Sequence, residues 1–234
     1  RLLKNTNAVD MYVAFDPFKV GVLQGTALLQ GLADRKGAGP YNIELIAGSP
    51  DDANSGAFFK GAISILQPKI TDGTLKIVSG QTTFEAVATQ GWKAENAQKR
   101  MDTVLAGFYT SVKLDGILSP NDTLARAALT SVAQAGKDVP VITGQDSEVE
   151  SVKSIMAGVQ YSTVYKNTGE LVSQTIKHVQ ALQKGTAPEI NDTKSYDNGV
   201  KIVPSYLLTP QIVTKTNAAE IYKNEKSLFP LTQG

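Results

Sequence analysis

The feature that most constrains the fold is a strand–helix–strand unit in the middle of the chain, at residues 114–146. Residues 114–118 are mostly apolar, residues 123–135 carry apolar side chains at helical spacing, and residues 139–143 are apolar again. Gly136 ends the predicted helix. Two strands joined through a helix lie parallel with a right-handed crossover, so both strands are expected to end at the same edge of one sheet.

Polar residues follow both strands at that edge. Asn121 and Asp122 come after the first strand, and Gln145 and Asp146 come after the second. The carboxyl edge of an open parallel sheet is where ligands usually bind. Asn and Asp also cap helix N-termini, so capping is the alternative reading, though less so for Asp146, because Ser147 is the better cap.

Strands alternate with helices through the rest of the chain, which is typical of a parallel α/β sheet. Further strands are predicted at 9–15, 42–47, 75–79, 160–164 and 200–208, and helices at 19–35, 55–66, 92–106, 148–156 and 168–182. The loops after the second and third strands are long and open at the same edge as Asn121 and Asp146, so a ligand crevice is the simplest explanation. The chain beyond residue 211 is polar, with one short helix predicted at 218–223.

Composition and charge exclude several function classes. The net charge is +1, so no electrostatic argument supports binding to nucleic acid or to an anionic membrane surface. The absence of cysteine excludes disulfides, thiolate metal sites and a cysteine nucleophile. Residues 1–4 are neither an initiator methionine nor a signal peptide, so we expect the chain to be an N-terminally truncated fragment.

The sequence contains no motif for catalysis or for metal binding. The single histidine, His178, lies inside a predicted helix without a partner at ligand spacing, so we expect it to be exposed and not to bind a metal. No GxSxG, GxGxxG or phosphate-loop motif occurs. The adjacent Asp51 and Asp52 do not face each other across a substrate. We therefore expect no cofactor, no metal and no enzymatic activity.

The polar residues at the sheet edge suit the recognition of a sugar. Asp and Asn can bind adjacent hydroxyl groups, the carboxylate as an acceptor and the amide as both donor and acceptor. Trp92 offers a flat apolar face for the C–H groups of a pyranose. The alternative for Trp92 is an aromatic residue of the core.

Six ordered motifs resemble those of the periplasmic sugar-binding proteins of ABC transporters, closest to the xylose- and multiple-monosaccharide-binding branch of the type I solute-binding fold. The motifs are FDPFKVG at 15–21, AGSPDD at 47–52, GWKAENA at 91–97, SPND at 119–122, TGQD at 143–146 and STVYK at 162–166. The similarity covers essentially the whole chain, including YDNGV at 196–200.

The resemblance implies an α/β protein of two doubly wound lobes with parallel sheets, joined by three crossing segments. Residues 18–165 would form the second, sugar-binding lobe almost completely. Residues 1–16 and 167–204 would form part of a first lobe whose opening portion is absent, and residues 205–234 the last crossing strand and the C-terminal tail. The helix at 168–182 would then expose its apolar face, because a partial lobe has too few strands to cover it.

The resemblance also implies which positions contact the sugar. They are Asp51, Trp92, Asn121, Asp146 and Lys166, with Asp16 as a further residue that faces the cleft. Pro17 stands where the family commonly has Asn, which removes a side-chain donor and leaves the identity of the sugar open.

The function implied is that of a receptor, which binds a free aldopentose or aldohexose without reaction and presents it to an ABC transporter permease. Such a protein would be made with a signal peptide and lie in the periplasm or outside the cell, touching the membrane only through the permease or a lipid anchor. The alternative is the effector-binding core of a sugar-responsive transcriptional repressor, which is similar in fold. The tail beyond residue 211 favours the receptor.

Overall fold

The computed structural model describes residues 1–233, which form strands and helices in alternation. The elements are β1 (Tyr12–Phe15), α1 (Pro17–Lys36), β2 (Tyr41–Leu45), α2 (Ser55–Thr71), β3 (Leu75–Ile77), α3 (Phe84–Val87), α4 (Ala94–Phe108), β4 (Gly116–Leu118), α5 (Asp122–Gln134), β5 (Val141–Ile142), α6 (Val149–Met156), β6 (Ser162–Tyr165), α7 (Thr168–Gln183), β7 (Ser205–Leu208), β8 (Gln211–Thr214) and α8 (Ala218–Ile221). Short 3-10 turns lie at Gln90–Trp92 and Phe229–Thr232.

The main sheet has four parallel strands in the order β3-β2-β4-β5. The central unit is confirmed: β4 and β5 are neighbours, with Gly116 opposite Val141, and α5 connects them. From β2 the chain first adds β3 on one side and then β4 on the other, so the order reverses between β2 and β4. Loops diverge at such a reversal and leave a crevice at the carboxyl edge.

Helices cover both faces of this sheet, as in a doubly wound fold. Leu28 of α1 and Leu66 of α2 pack with Leu118 on one face. Met101 of α4 and Leu124 of α5 pack with the neighbouring Ile117 on the other face. Because successive side chains of a strand point to opposite faces, β4 contributes to both cores. The predicted α/β class is confirmed.

Glycines bring α1 and α2 into direct backbone contact. A Cβ added at Gly21 would lie 1.9 Å from the carbonyl oxygen of Phe58, and one at Gly61 would lie 2.1 Å from that of Phe18. Any larger residue would push the helices apart. This contact fixes the start of α2, and with it the polar loop between β2 and α2.

Two small sheets flank the main one. β1 pairs with β7 in parallel, and β6 pairs with β8 in antiparallel orientation. The second pairing was not expected, because the chain from residue 211 onward was predicted to have no strand. Of the four residues of β8 only Val213 is fully buried, so the segment carries too short an apolar pattern to indicate a strand. The short helix α8 follows close to its predicted place.

Three predicted segments differ from the structure. The strand predicted at 200–208 begins only at Ser205, because Pro204 has no N–H to donate and residues 198–201 close a turn in which Asn198 N donates to Lys201 O. The predicted loop between β3 and α4 contains α3 and the turn Gln90–Trp92. Trp92 therefore lies before α4 and not inside it.

His178 is buried and not exposed, which corrects the sequence-based expectation. Its ring nitrogens lie 2.7 Å from the carbonyl oxygens of Gln174 and Glu189, and its ring packs against Tyr206. These carbonyl oxygens and the aromatic ring hold the imidazole against the β1–β7 sheet. The apolar side chains of α7 face outward instead, and four of them are about half exposed: Val172, Ile176, Val179 and Leu182. The predicted exposure of this helix face is confirmed.

Candidate functional site

A cavity of about 420 Å³ opens at the carboxyl edge of the main sheet. Most of its lining residues come from the loops that follow β2, β4, β5 and β6 and from the turn before α4, while Phe58 belongs to α2 and Arg1 to the N-terminal segment. The lining residues are Arg1, Asp52, Asn54, Phe58, Trp92, Asn121, Gln145, Asp146 and Lys166. The structure thus brings together four of the six predicted site residues, namely Trp92, Asn121, Asp146 and Lys166.

The Trp92 ring is held firmly at one wall of the cavity. A Cβ added at Gly48 would lie 2.0 Å from the ring, so the indole packs directly on the glycine backbone. Phe58 meets the ring edge-on at 6.5 Å between centroids, and Nε1 donates to Asp52 Oδ2 at 3.2 Å. The backbone reaches this position with positive φ at both Gly91 and Trp92. The ring is therefore partly core and partly cavity wall.

Asp52, and not Asp51, lies in the cavity. Asp52 binds the indole N–H, and its carboxylate also pairs with Arg1 at 2.7 Å. Asp51 is exposed, and its carboxylate accepts a hydrogen bond from the Ser49 hydroxyl. Two adjacent carboxylates in a turn cannot be ranked from sequence, because the turn geometry alone decides which one faces inward.

Asn121 both caps a helix and lines the cavity. Its Oδ1 accepts from Leu124 N at 2.9 Å, which makes it the N-cap of α5. The cap occupies the amide oxygen, whereas the NH₂ group of an asparagine side chain can still donate to a ligand.

Asp146 and Lys166 form an ion pair beside the cavity, with 2.9 Å between Nζ and Oδ1. Nζ also donates to Gln145 Oε1 at 2.7 Å. Gln145 itself is buried and donates to the carbonyl oxygen of Pro120 at 2.8 Å. This glutamine ties the loops after β4, β5 and β6 together. It was noted in the sequence beside Asp146 but not chosen, because a neutral side chain before a carboxylate gives no separate signal.

Asp16 lies at a different cavity, of about 510 Å³. There it caps α1, accepting from Lys19 N at 3.1 Å, and also accepts from the Tyr196 hydroxyl at 3.0 Å. Pro17 occupies the first turn of α1, where a missing N–H is tolerated. Asn54 lines both cavities, which places Asp16 next to the predicted site but outside it.

The charges around the 420 Å³ cavity are balanced. Asp52 faces Arg1, and Asp146 faces Lys166. Among residues 1–233, no group of three or more His, Asp or Glu side chains is arranged to hold a metal ion. Nor does any helix of that range have the length and apolar character needed to cross a bilayer. The arrangement suits a small neutral ligand that offers several hydroxyl groups and one apolar face.

The fold and this site define a class of protein: an α/β lobe with a polar, charge-balanced cavity at the carboxyl edge of its sheet. The family model of the periplasmic binding protein domain matches residues 1–187, so the chain belongs to that family. The resemblance found in the sequence motifs is thereby confirmed.

Two relatives and one solved structure show how similar the chain is to known members. It is 49% identical to the multiple sugar-binding periplasmic receptor ChvE of Rhizobium radiobacter, over 94% of this chain and 64% of the relative. It is 35% identical to the D-xylose-binding periplasmic protein of Escherichia coli K12, over 91% of this chain and 60% of the relative. The chain thus spans less than two thirds of the length of either relative.

The structural comparison agrees. An ABC transporter solute-binding protein from Clostridium phytofermentans, solved with bound β-D-glucose, superposes with a TM-score of 0.91 at 38% identity. The match covers 100% of this chain and 73% of that one. The type I fold expected from the motifs is confirmed.

Proposed function

We propose that this chain is the sugar-binding part of a solute receptor for a carbohydrate ABC importer, which binds a free aldopentose or aldohexose and releases it unchanged. The observation that carries the proposal is the Trp92 ring, fixed against Gly48 and flanked by hydrogen-bonding groups in one cavity. An aromatic face and a rim of acceptors and donors match the two surfaces of a pyranose.

Each polar group has a role in this proposal. Asp52 and Asp146 accept from sugar hydroxyls, and Asn121 and Lys166 donate to them. Trp92 stacks on the C–H face of the ring. Because Asp146 and Lys166 already neutralise each other, a neutral ligand leaves no charge uncompensated when water is excluded. Asp51, Asp16 and the departure at Pro17 affect the ligand only indirectly in this account.

The division into lobes belongs to the same proposal. Residues 18–165 form the sugar-binding lobe, and residues 1–16 and 167–204 are part of an opposing lobe. The exposed apolar face of α7 supports this, because a helix face of four half-exposed apolar side chains usually packs against other structure. Closure of two lobes would bury the ligand and exclude water.

The names of the relatives support a proposal for the location and partners of the protein. Those relatives are periplasmic sugar-binding proteins and sugar receptors, and we propose a periplasmic or extracellular location, with contact to the membrane through a permease or a lipid anchor. The comparisons support a transport receptor over the repressor core. They also support binding without catalysis.

Titration calorimetry tests the proposal. The protein, expressed in the full length that its gene encodes, is titrated with D-glucose, D-xylose, an amino acid and a nucleotide at two salt concentrations. We expect an aldose to bind with an affinity that salt barely changes, because no net charge is engaged. The variant Asp146→Asn should bind about tenfold more weakly, as expected for losing a hydrogen bond to a charged group.

Two outcomes would contradict the proposal. One is tight binding of the amino acid or the nucleotide together with no response to any aldose. The other is conversion of the sugar during incubation, which would make the protein an enzyme.

A further inference from the structure

A fully buried carboxylate lies directly behind the cavity without lining it. Asp122 has no exposed surface, yet three groups donate hydrogen bonds to it. Gln160 Nε2 lies 2.8 Å from Oδ1, and Thr163 Oγ1 and Glu148 N lie 3.0 and 2.9 Å from Oδ2. Burying a carboxylate is costly even when it is hydrogen-bonded.

These hydrogen bonds secure the turn at 146–148 that carries Asp146. Asp146 and Ser147 have φ values of 97° and 53°, and two consecutive non-glycine residues in that region are strained. The Ser147 amide donates to Thr163 Oγ1 at 3.1 Å, and the Glu148 amide donates to Asp122. Two successive amides of the turn are therefore held by one carboxylate–hydroxyl pair.

We propose that Asp122 is a positioning residue of the sugar site: with Thr163, its carboxylate holds the turn at 146–148 so that Asp146 stays beside Lys166 at the cavity. The ligand part of this inference rests on the proposed function. The structural part, the hold on the turn, is independent of it.

The negative charge matters because all the partners of Asp122 are donors. An ionised carboxylate accepts from all three. A protonated one has to donate its own hydrogen, and the acceptors within reach are the Thr163 hydroxyl and, after rotation of its amide, the oxygen of Gln160, which is buried without a partner among the described residues. Either choice replaces charge-assisted hydrogen bonds with weaker neutral ones, and rotation also breaks the bond from Gln160 Nε2 to the carbonyl oxygen of Ser162.

Both forms of Asp122 are accessible near neutral pH. The pKa of the Asp122 carboxyl is raised to about 7: burial raises it most and the nearby Asp146 carboxylate adds to the rise, while the three donors oppose it. The charged and titratable groups around it are Asp146, Lys166, Glu148, Arg126 and Tyr222. Sugar affinity should therefore decrease as the pH falls through about 7.

Two variants and one control test the inference in the full-length protein. Asp122→Asn keeps the shape of the side chain and removes its charge, and Thr163→Val removes the hydroxyl that bridges the carboxylate and Ser147. Asp102→Asn, an exposed position on α4, is the matched control. Amide hydrogen exchange is measured without ligand, and aldose affinity is measured from pH 5.5 to 8.5.

We expect faster exchange at the amides of residues 147 and 148 in both variants, and about tenfold weaker aldose binding at pH 8, the effect of losing one charge-assisted hydrogen bond. The affinity of Asp122→Asn should not vary with pH. Unchanged exchange in the turn, or unchanged affinity despite faster exchange, would overturn the inference. A loss of thermal stability alone would do the same. If the parent protein binds no aldose, the exchange result still decides whether Asp122 holds the turn, and only the proposed function fails.

Discussion

Gly48→Ala should disable the site by displacing the Trp92 ring. The added methyl group would lie 2.0 and 2.2 Å from two ring carbons and 2.6 Å from the Ser55 hydroxyl. Ordinary contact begins near 3.4 Å, so the ring has to move by at least about 1.4 Å. The indole N–H to Asp52 hydrogen bond is already 3.2 Å long and should not survive that movement.

The magnitude follows from the lost hydrogen bond and the lost packing. The indole–Asp52 hydrogen bond lies within the protein, so its loss lowers stability. The displaced ring also loses its stacking on the sugar, an aromatic contact of about 1.5 kcal/mol, so Kd should rise about tenfold. Overpacking should also lower the free energy of unfolding by about 1–3 kcal/mol. Both effects have one cause, the displacement of a ring that the cavity needs in one place.

Calorimetry with the aldose that binds best, together with urea denaturation, measures both quantities. Gly107→Ala is the control, because a Cβ there meets no atom within 4 Å and should leave affinity unchanged. The reasoning is refuted if Gly48→Ala binds sugar as tightly as the parent while its Trp92 fluorescence shows that the ring has moved.

Four further predictions concern the site, its charge and the fragment. Trp92→Ala should weaken aldose binding about tenfold without abolishing folding, because an aromatic contact of about 1.5 kcal/mol is lost, as measured by calorimetry and circular dichroism. Asp52→Asn should weaken binding and Asp51→Asn should not; the reverse order would restore the sequence-based assignment. Burial raises the pKa of Asp122 from 3.8 to about 7, so the folded protein keeps a proton that the unfolded chain releases. The free energy of unfolding should then fall as pH rises from about 4 to about 7 and level off above, and Asp122→Asn should remove that slope in urea denaturation series. Residues 1–234 expressed alone should bind sugar more weakly than the full-length protein and self-associate through the exposed face of α7, seen by light scattering, whereas a clean monomer of equal affinity would show that one lobe suffices.

The elements of the main sheet could be predicted because local signals agreed with the global fold. The unit from β4 to β5 combines buried apolar strands, a periodic helix and a glycine stop, so Gly116 and Val141 pair as expected. β8 could not be predicted, because it is stabilised by pairing with β6 and by the burial of Val213. Those contacts are formed between segments far apart in sequence.

The candidate site, like the fold, could be predicted from the sequence only in part. Four of the predicted residues lie together at one cavity, because each lies just past a strand or within a recognisable motif: Trp92, Asn121, Asp146 and Lys166. The geometry of the turn places Asp52, and not Asp51, in the cavity, and no periodic pattern in the sequence predicts that geometry. On α7 the exposed apolar face was predicted, but the burial of Gln174 and His178 on the opposite face was not. Helical periodicity identifies the apolar face of a helix but does not predict which face packs against the rest of the chain.

The most direct test of the central claim is the structure of the full-length protein with its aldose bound. We expect a sugar ring stacked on Trp92, with hydroxyl groups within hydrogen-bond distance of Asp52, Asn121 and Asp146. A sugar bound elsewhere, for instance in the 510 Å³ cavity beside Asp16, with Trp92 uncontacted, would contradict it.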